Sequence, residues 1–470
     1  MAREGKLAKN TLILSLGTFL PKLVTFVILP ILTGELTKDE YGTYDLVLVF
    51  ALLLLPAVTL QIHTAAFRFI LEVKDDRTKV KSIITSIFAV IIPVSVVVLV
   101  ILYFCLARLE PSIRILVCVY LFVDILAVAC QWVIRGLQKN AIYAISAILN
   151  SLGKMVLSII CVWWLHLGLH GALLSLIAAN VITILVLLFL GKIISYCDLR
   201  QISAAEIRAM LAYSWPLVPN SLSMWVMRVS DRFVVTMFMG VAADAVYAAA
   251  NKIPQILTVA QNTFSMAWQE NASVSSKDDD APLYYSSMFS KMYDLLAGSL
   301  GLLIAMTPIL FKLLIRGDYG EAYFQIPILL LAMFFSTLTS YLGGIYVAFK
   351  ATKSIGITTF LAAICNLVLD FGFIKLIGLY AASGSTLISY LFLCVYRMFD
   401  VRKLVDITYN FRRLAVVLSI LIVECVLCFL QKPVLNFINV VFGVVVFFVL
   451  NRELIIILMR KAKKLIKKVF

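Results

Sequence analysis

The stretch "SMWVMRVSDRFVVTMFMG", residues 223–240, is an apolar run of transmembrane length that nevertheless carries Arg228, Asp231 and Arg232. Runs of this length recur along the 470 residues, which are 62% hydrophobic and 14% charged, with a mean hydropathy of +1.01. A soluble domain has a smaller apolar share, and about 20 apolar residues cross the hydrocarbon core of a bilayer. The composition therefore predicts an all-α polytopic membrane protein.

The apolar runs predict about 14 transmembrane helices. The first run carries Lys22 at its centre and lacks a small-residue cleavage site, so we expect a spanning helix and no cleaved signal peptide. We expect an N-lobe in residues 1–200, a C-lobe in 201–405, and a helix pair with a basic tail in 406–470. The predicted spans are 11–33, 44–70, 82–107, 112–135, 142–165, 168–190, 213–239, 243–269, 284–311, 322–348, 355–376, 379–400, 411–430 and 434–458.

Lysine and arginine are distributed unevenly between the loops. Most of the 41 fall in the termini and in alternate loops, which the positive-inside rule assigns to the cytoplasm. We therefore expect both termini to be cytoplasmic. The basic tail "MRKAKKLIKKVF" suits an anionic inner leaflet, so membrane lipids explain much of the net charge of +15 and no nucleic-acid partner is needed.

Some basic residues fall inside the predicted spans. Each costs about 2.5–3.5 kcal/mol at mid-membrane, so we expect most of them to face a protein interior or a water-filled cavity. Arg68 lies near a helix end, where snorkelling to the interface is the alternative. The basic residues in spans are Lys22, Arg68, Lys154, Arg228, Arg232 and Lys252.

The first and seventh predicted helices share one pattern. Lys22 stands twelve residues before Gly34 and Arg228 stands twelve before Gly240, and each glycine is followed seven residues later by a tyrosine. This spacing predicts two six-helix lobes related by a parallel pseudo-two-fold repeat, with a substrate path between them.

No metal-ligand spacing occurs among the histidines and cysteines, and no cofactor is expected.

Polar residues follow one face of the eighth predicted helix, and Trp225 lies one turn before Arg228 on the seventh. Interhelical hydrogen bonds, at about 0.6 kcal/mol each, are one explanation for such a stripe. With buried cations opposite, we expect a hydrated cationic cavity suited to a phosphate-bearing anion. The alternative is that Asp231 neutralises a neighbouring arginine in a structural ion pair. The predicted polar cavity residues include Asn251, Gln255, Thr258 and Asn262.

Four segments together resemble bacterial oligosaccharide repeat-unit flippases of the Wzx type. They are "TKDEYGTYDLVLVF", "SDRF", "ANKIPQIL" and "NLVLDFGFIKLIGLYAASGSTLISY". These flippases form the polysaccharide-transporter branch of the multidrug/oligosaccharidyl-lipid/polysaccharide flippase superfamily, which also holds lipid II flippases and multidrug antiporters. The resemblance implies alternating access that carries an undecaprenyl-pyrophosphate-linked oligosaccharide from the inner to the outer leaflet of a bacterial plasma membrane. It also implies a monomer that works beside a polysaccharide polymerase and glycosyltransferases.

The resemblance further implies an ion site in the C-lobe, because lipid II flippases can hold sodium there. The matching residues are Asp231, Asn366, Asp370 and Thr386. Asn366 and Asp370 share a helical face, and their oxygens suit a hard cation, Na⁺ or H⁺, without selecting between them. The alternatives are that Asp370 pairs with a lysine such as Lys375, or that it is protonated near the outer end of its helix.

Three other functions fit the same fold or the same membrane. A drug or cation antiporter predicts a cavity dominated by acidic groups, and a lipid II flippase differs only in its substrate. A membrane enzyme, such as a glycan polymerase, predicts a large outer loop with catalytic groups, whereas every predicted outer loop is short. We therefore expect a transporter that is not an enzyme.

Overall fold

A computed structural model describes residues 24–73, 75–215, 217–276, 278–453 and 455–456, and the regular elements within these ranges are helical. The predicted all-α polytopic class is confirmed. The α-helices are α1 Val24–Glu35, α2 Lys38–Thr59, α3 Ile62–Glu72, α4 Arg77–Cys105, α5 Pro111–Gly136, α6 Asn140–Ser158, α7 Gly168–Phe189, α8 Ala204–Ser214, α9 Leu217–Met239, α10 Val241–Lys252, α11 Gln255–Ser275, α12 Ala281–Leu314, α13 Gly320–Ala348, α14 Thr352–Ile377, α15 Leu379–Asp400, α16 Phe411–Phe429 and α17 Pro433–Leu450.

Within the described ranges, 10 helices are long and apolar enough to cross a membrane. The other four predicted spans correspond to α1, α9, α11 and α16. Helices α9 and α16 each carry three charged residues, and α11 is rich in amides and hydroxyls. These four helices match predicted spans in position and differ from the ten in polarity or described length.

Two predicted continuous spans, 44–70 and 243–269, are instead broken helices. The first breaks between α2 and α3, where Leu60 and Gln61 have φ of 47° and 60°. The Gln61 side chain donates a hydrogen bond to Ser221 Oγ at 2.7 Å, which offsets part of the cost of this left-handed backbone. The second breaks before Pro254, which has no N–H to donate and whose ring clashes with the preceding helical turn.

Local sequence signals set several helix ends. Thr37 and Glu40 form a reciprocal capping box at the start of α2, so each side chain satisfies a free backbone N–H. Asp76 caps α4 by accepting from the backbone N–H groups of Thr78 and Lys79, and Pro111 begins α5, where a missing N–H costs nothing.

Backbone contacts divide the chain into two compact units, Met1–Ser230 and Asp231–Phe470. In the first unit, a buried aliphatic core joins α3, α4 and α5, and α8 packs onto α3 and α4 through Met210. A polar chain also crosses this unit. Asn180 of α7 donates to Asp124 of α5 at 2.9 Å, and Asn150 of α6 donates to Asn180 at 2.7 Å.

In the second unit, α13 is the most buried of the spanning helices and packs against α10, α11, α12 and α15. The C-terminal helices α16 and α17 pack against α12 in the same unit. One ion pair supports this attachment, because Arg413 of α16 donates to Asp294 of α12 at 2.7 Å.

Candidate functional site

The four residues matched to an ion site come together inside the second unit. Thr386 of α15 makes hydrogen bonds with Asp231 of α9, and Asn366 of α14 donates to the Thr386 hydroxyl at 3.5 Å. Asp370 lies one turn after Asn366 on α14 and acts electrostatically on Tyr247, as does Asp231. All three helices therefore contribute to one buried polar cluster.

Two further residues complete this group, which we call the Asp231–Asp370 cluster. Ser385 donates to Asp370 Oδ1 at 2.5 Å and accepts from Asn366 at 3.2 Å. The hydroxyl of Tyr247, a fully buried residue of α10, donates to Asp231 Oδ2. Ser385 directly precedes Thr386 in the chain, and this adjacency was the available signal for including it in the site.

The donor set of the Asp231–Asp370 cluster suits a small hard cation or a proton. Asp370 is fully buried, and its Oδ2 atom has no hydrogen-bond partner among the residues that the structure describes. The Lys375 ammonium lies 5.3 Å from the centre of the Phe238 ring, in a cation–π contact, and Asp370 forms no ion pair with it. Two carboxylates, an amide and hydroxyls can together replace the hydration of a cation.

A second group of charges lies beside the first, and we call it the Asp244 cluster. Asp244 of α10 is fully buried, and both Arg232 and Lys252 act on it electrostatically. Arg232 is also buried, and its backbone N–H donates to Asp231 at 3.0 Å. Sequence reasoning missed Asp244, although its position two turns before Lys252 on one helix was a signal for it.

The Asp244 cluster changes the charge balance expected for this part of the chain. The predicted cations Arg232 and Lys252 both interact with the carboxylate of Asp244, whereas the two cations repel each other. Asp244 therefore offsets part of their positive charge within the second unit.

The predicted cations of the first unit have separate environments. Lys154 of α6 is acted on by the carboxylate of Asp124, next to the polar chain of Asn150 and Asn180. Arg68 has a side chain that is 58% exposed and forms an ion pair with Glu72 at 3.0 Å, so its surroundings match the snorkelling alternative.

The predicted polar stripe is divided by the break before Pro254. Asn251 lies on α10 and donates to the Tyr247 carbonyl oxygen at 3.0 Å, whereas Gln255 and Thr258 lie on α11. Trp225 donates to the Val49 carbonyl oxygen at 3.1 Å. Lys22, together with the side chains of Arg228 and Asn262, lies outside what the structure describes.

Solved structures share this fold. The lipid II flippase MurJ in an inward closed conformation superposes with a TM-score of 0.71 at 14% identity, covering 94% of this chain and 99% of that one. An inward-facing multidrug resistance transporter of the MATE family gives 0.65 at 14% identity, with coverage of 84% and 98%. A transporter of the MOP superfamily from Pyrococcus furiosus gives 0.56 at 14% identity, with coverage of 84% and 95%. At these identities the likeness shows the fold alone.

Comparison with curated proteins finds no match. The family model described as "Polysaccharide biosynthesis protein" matches residues 7–269, more than half of the chain. This match begins before α1 and ends within α11, so it includes Asp231, Asp244 and Lys252. The chain is a member of the polysaccharide biosynthesis protein family.

Proposed function

We propose that the protein is a Wzx-type flippase that moves an undecaprenyl-pyrophosphate-linked oligosaccharide from the inner to the outer leaflet of a bacterial plasma membrane. The observation that carries this proposal is the match to the polysaccharide biosynthesis family over residues 7–269. The fold shared with a lipid II flippase supports it, because that protein also handles a lipid-linked saccharide. Glycosyltransferases supply the substrate, a polymerase consumes the product, and the protein acts as a monomer with cytoplasmic termini.

In this proposal, Arg228 and Lys22 bind the pyrophosphate. Arg232 and Lys252 have acidic neighbours within the second unit, so they are weaker candidates for holding an anion. Guanidinium matches phosphate oxygens in a bidentate pair, whereas ammonium acts as a point charge. Arg228 is therefore assigned the orienting contact and Lys22 the supporting charge.

The Asp231–Asp370 cluster is proposed as the coupling site for Na⁺ or H⁺. Binding of a cation there reduces the negative charge of Asp231, which precedes Arg232 in the chain and accepts its backbone N–H. Arg232 then interacts more strongly with Asp244, its other acidic neighbour. Ion binding thus changes the electrostatic environment of α9, the helix that also carries Arg228.

The test is lipid-linked glycan accumulation on the cytoplasmic leaflet of host cells depleted of this protein. Cells are complemented with wild type, Arg228→Ala, Arg228→Lys or the neighbouring control Val229→Ala, at matched membrane levels. We expect wild type and Val229→Ala to clear the accumulation, Arg228→Lys to clear part of it, and Arg228→Ala to fail. Equal clearance by all four forms would remove Arg228 from the substrate contact.

Absence of accumulation on depletion would overturn the flippase assignment. A drug or cation antiporter is the second candidate, favoured by the buried carboxylates Asp231, Asp244 and Asp370 and by the fold shared with MATE transporters. This candidate predicts ion-gradient-dependent uptake of organic cations into everted vesicles, abolished by Asp370→Asn.

A further inference from the structure

Glu424 is a fully buried carboxyl group in the C-terminal helix pair, outside both charge clusters described above. Neither of its carboxylate oxygens has a hydrogen-bond partner among the described residues. An ionised carboxylate in an apolar environment without a partner costs several kcal/mol or more. Some species must therefore supply a positive charge or a proton at this position.

The packing around Glu424 leaves space for its carboxyl group. A Cβ atom at Gly301 of α12 would overlap Glu424 Oε2, and a Cβ at Gly443 of α17 would stand 3.4 Å from Oε1. Gly301 thus leaves room for the carboxyl group where α12, α16 and α17 meet, whereas a Cβ at Gly443 would make only ordinary van der Waals contact with it.

Asn439 of α17 provides a second, independent observation. This fully buried side chain donates its amide to the backbone carbonyl of Glu424 at 3.0 Å, and its own Oδ1 atom has no partner within the described part of the chain. The site therefore holds three side-chain acceptor atoms that lack a donor among the residues that the structure describes. One proton on Glu424 would neutralise the carboxylate and supply a donor.

The charged groups on the surrounding helices do not replace that proton. Asp294 of α12 lies two turns before Gly301 and is paired with Arg413. The nearest titratable groups on α16 itself are thiols, and Tyr323 of α13 donates its hydroxyl to the Cys428 carbonyl oxygen. The charged or titratable groups on helices packed against Glu424 are Tyr284, Tyr285, Lys291, Tyr293, Asp294 and Lys312 of α12, Glu321, Tyr323, Tyr341 and Tyr346 of α13, and Arg412, Arg413, Cys425 and Cys428 of α16, whereas α17 has none.

We propose that Glu424 is a proton-binding site, occupied by a proton when α16 and α17 pack against α12. This site is separate from the Asp231–Asp370 cluster, and its ligand is a proton. Loss of the proton places an uncompensated charge in an apolar helix contact, so the attachment of the C-terminal pair depends on protonation.

The test uses the purified full-length protein in lipid nanodiscs and infrared spectroscopy of the carboxylic acid C=O stretch. We expect Glu424→Gln to lose intensity in the protonated-acid band, while Glu453→Gln, the same change at an exposed glutamate, leaves it unchanged. A band unaffected by Glu424→Gln would overturn the proposal, because Glu424 would then be ionised. If Glu424→Gln does not fold, Glu424→Asp serves instead, and the band must shift in frequency.

Thermal unfolding gives a second measurement. Because the folded state holds a proton that the unfolded chain releases, wild type must lose stability as the pH rises, and Glu424→Gln must lose less. A wild-type unfolding midpoint that rises with added Na⁺ or K⁺ and loses this dependence in Glu424→Gln would identify a metal cation as the ligand and overturn the proton assignment.

Discussion

At the scale of single residues, Asp244 is a buried acidic group that interacts with two of the predicted cations. Its side chain is fully buried on α10, and Arg232 and Lys252 both act on it. A buried cation whose acidic neighbour is removed keeps its desolvation cost without the attraction that offset it. Removing the carboxylate together with one cation should therefore reduce the free energy of unfolding less than removing the carboxylate alone.

Asp244→Asn is expected to lower the free energy of unfolding by about 1–3 kcal/mol, because it leaves buried charge uncompensated. The second change Lys252→Met should recover part of this loss, since it removes one of the two cations that interact with Asp244. Thermal unfolding of the single and double variants in nanodiscs measures the coupling. Additive losses in the double variant would show that Asp244 and Lys252 do not interact.

Asp370→Asn is expected to weaken cation binding at the Asp231–Asp370 cluster roughly tenfold, about 1.4 kcal/mol, since it removes one of two carboxylates. Cation dependence of transport should weaken while the affinity for glycan stays near that of wild type. Asp279→Asn, an exposed change of the same chemistry, is the control. Unchanged cation dependence in Asp370→Asn would exclude the cluster from coupling.

At the scale of helices, Arg397 of α15 joins three elements of the second unit. Its guanidinium donates to the Thr339 carbonyl oxygen of α13 at 2.9 Å, and to the hydroxyls of Thr358 and Thr359 of α14 at 3.1 and 2.8 Å. The planar group donates to these acceptors from three separate nitrogen atoms, whereas the three donors of a lysine ammonium all lie on one atom.

Arg397→Met is expected to destabilise the protein by on the order of 3 kcal/mol, because buried acceptors on α13 and α14 lose their donor. Arg397→Lys should recover less than half of this loss. The measurement is thermal unfolding, with Arg412→Met on the exposed side of α16 as the control. If Arg397→Lys were as stable as wild type, the positive charge of residue 397 would stabilise the protein and the planar geometry of the guanidinium would not contribute.

The positions of the helices could be predicted from the sequence because a bilayer fixes the length of a span. The breaks inside two of the predicted spans were not predicted. Pro254 gave a signal for one break, but at the other break the Gln61 side chain donates a hydrogen bond to Ser221, a residue distant in the chain. Local propensity contains no information about such a partner. The resemblance located Asp231, Asn366, Asp370 and Thr386. The spacing of Asp244 from Lys252 was a signal within one helix, but the interaction of Asp244 with Arg232 became visible only in the packed structure.

At the scale of the whole molecule, the two units carry related patterns with different charges. In the second unit, Asn366 and Asp370 stand one turn apart on α14, and in the first unit Asn150 and Lys154 stand one turn apart on α6. Each asparagine contacts a hydroxyl on the next helix along the chain: Thr386 Oγ1 at 3.5 Å and Thr183 Oγ1 at 2.9 Å. The ammonium of Lys154 thus occupies the pattern position that holds a carboxylate in the second unit.

This difference predicts that the first unit becomes able to bind a cation when the lysine is replaced by an acid. In an Asp370→Asn background, Lys154→Asp adds a carboxylate to the group of Asp124 and Asn150, so added Na⁺ should raise the unfolding midpoint. The expected gain is about 1.4 kcal/mol when the free cation reaches ten times its Kd. Lys154→Gln in the same background removes the ammonium without adding a carboxylate and should show no such gain. Equal responses of the two variants would mean that the asparagine and the charge one turn later do not define an ion site in the first unit.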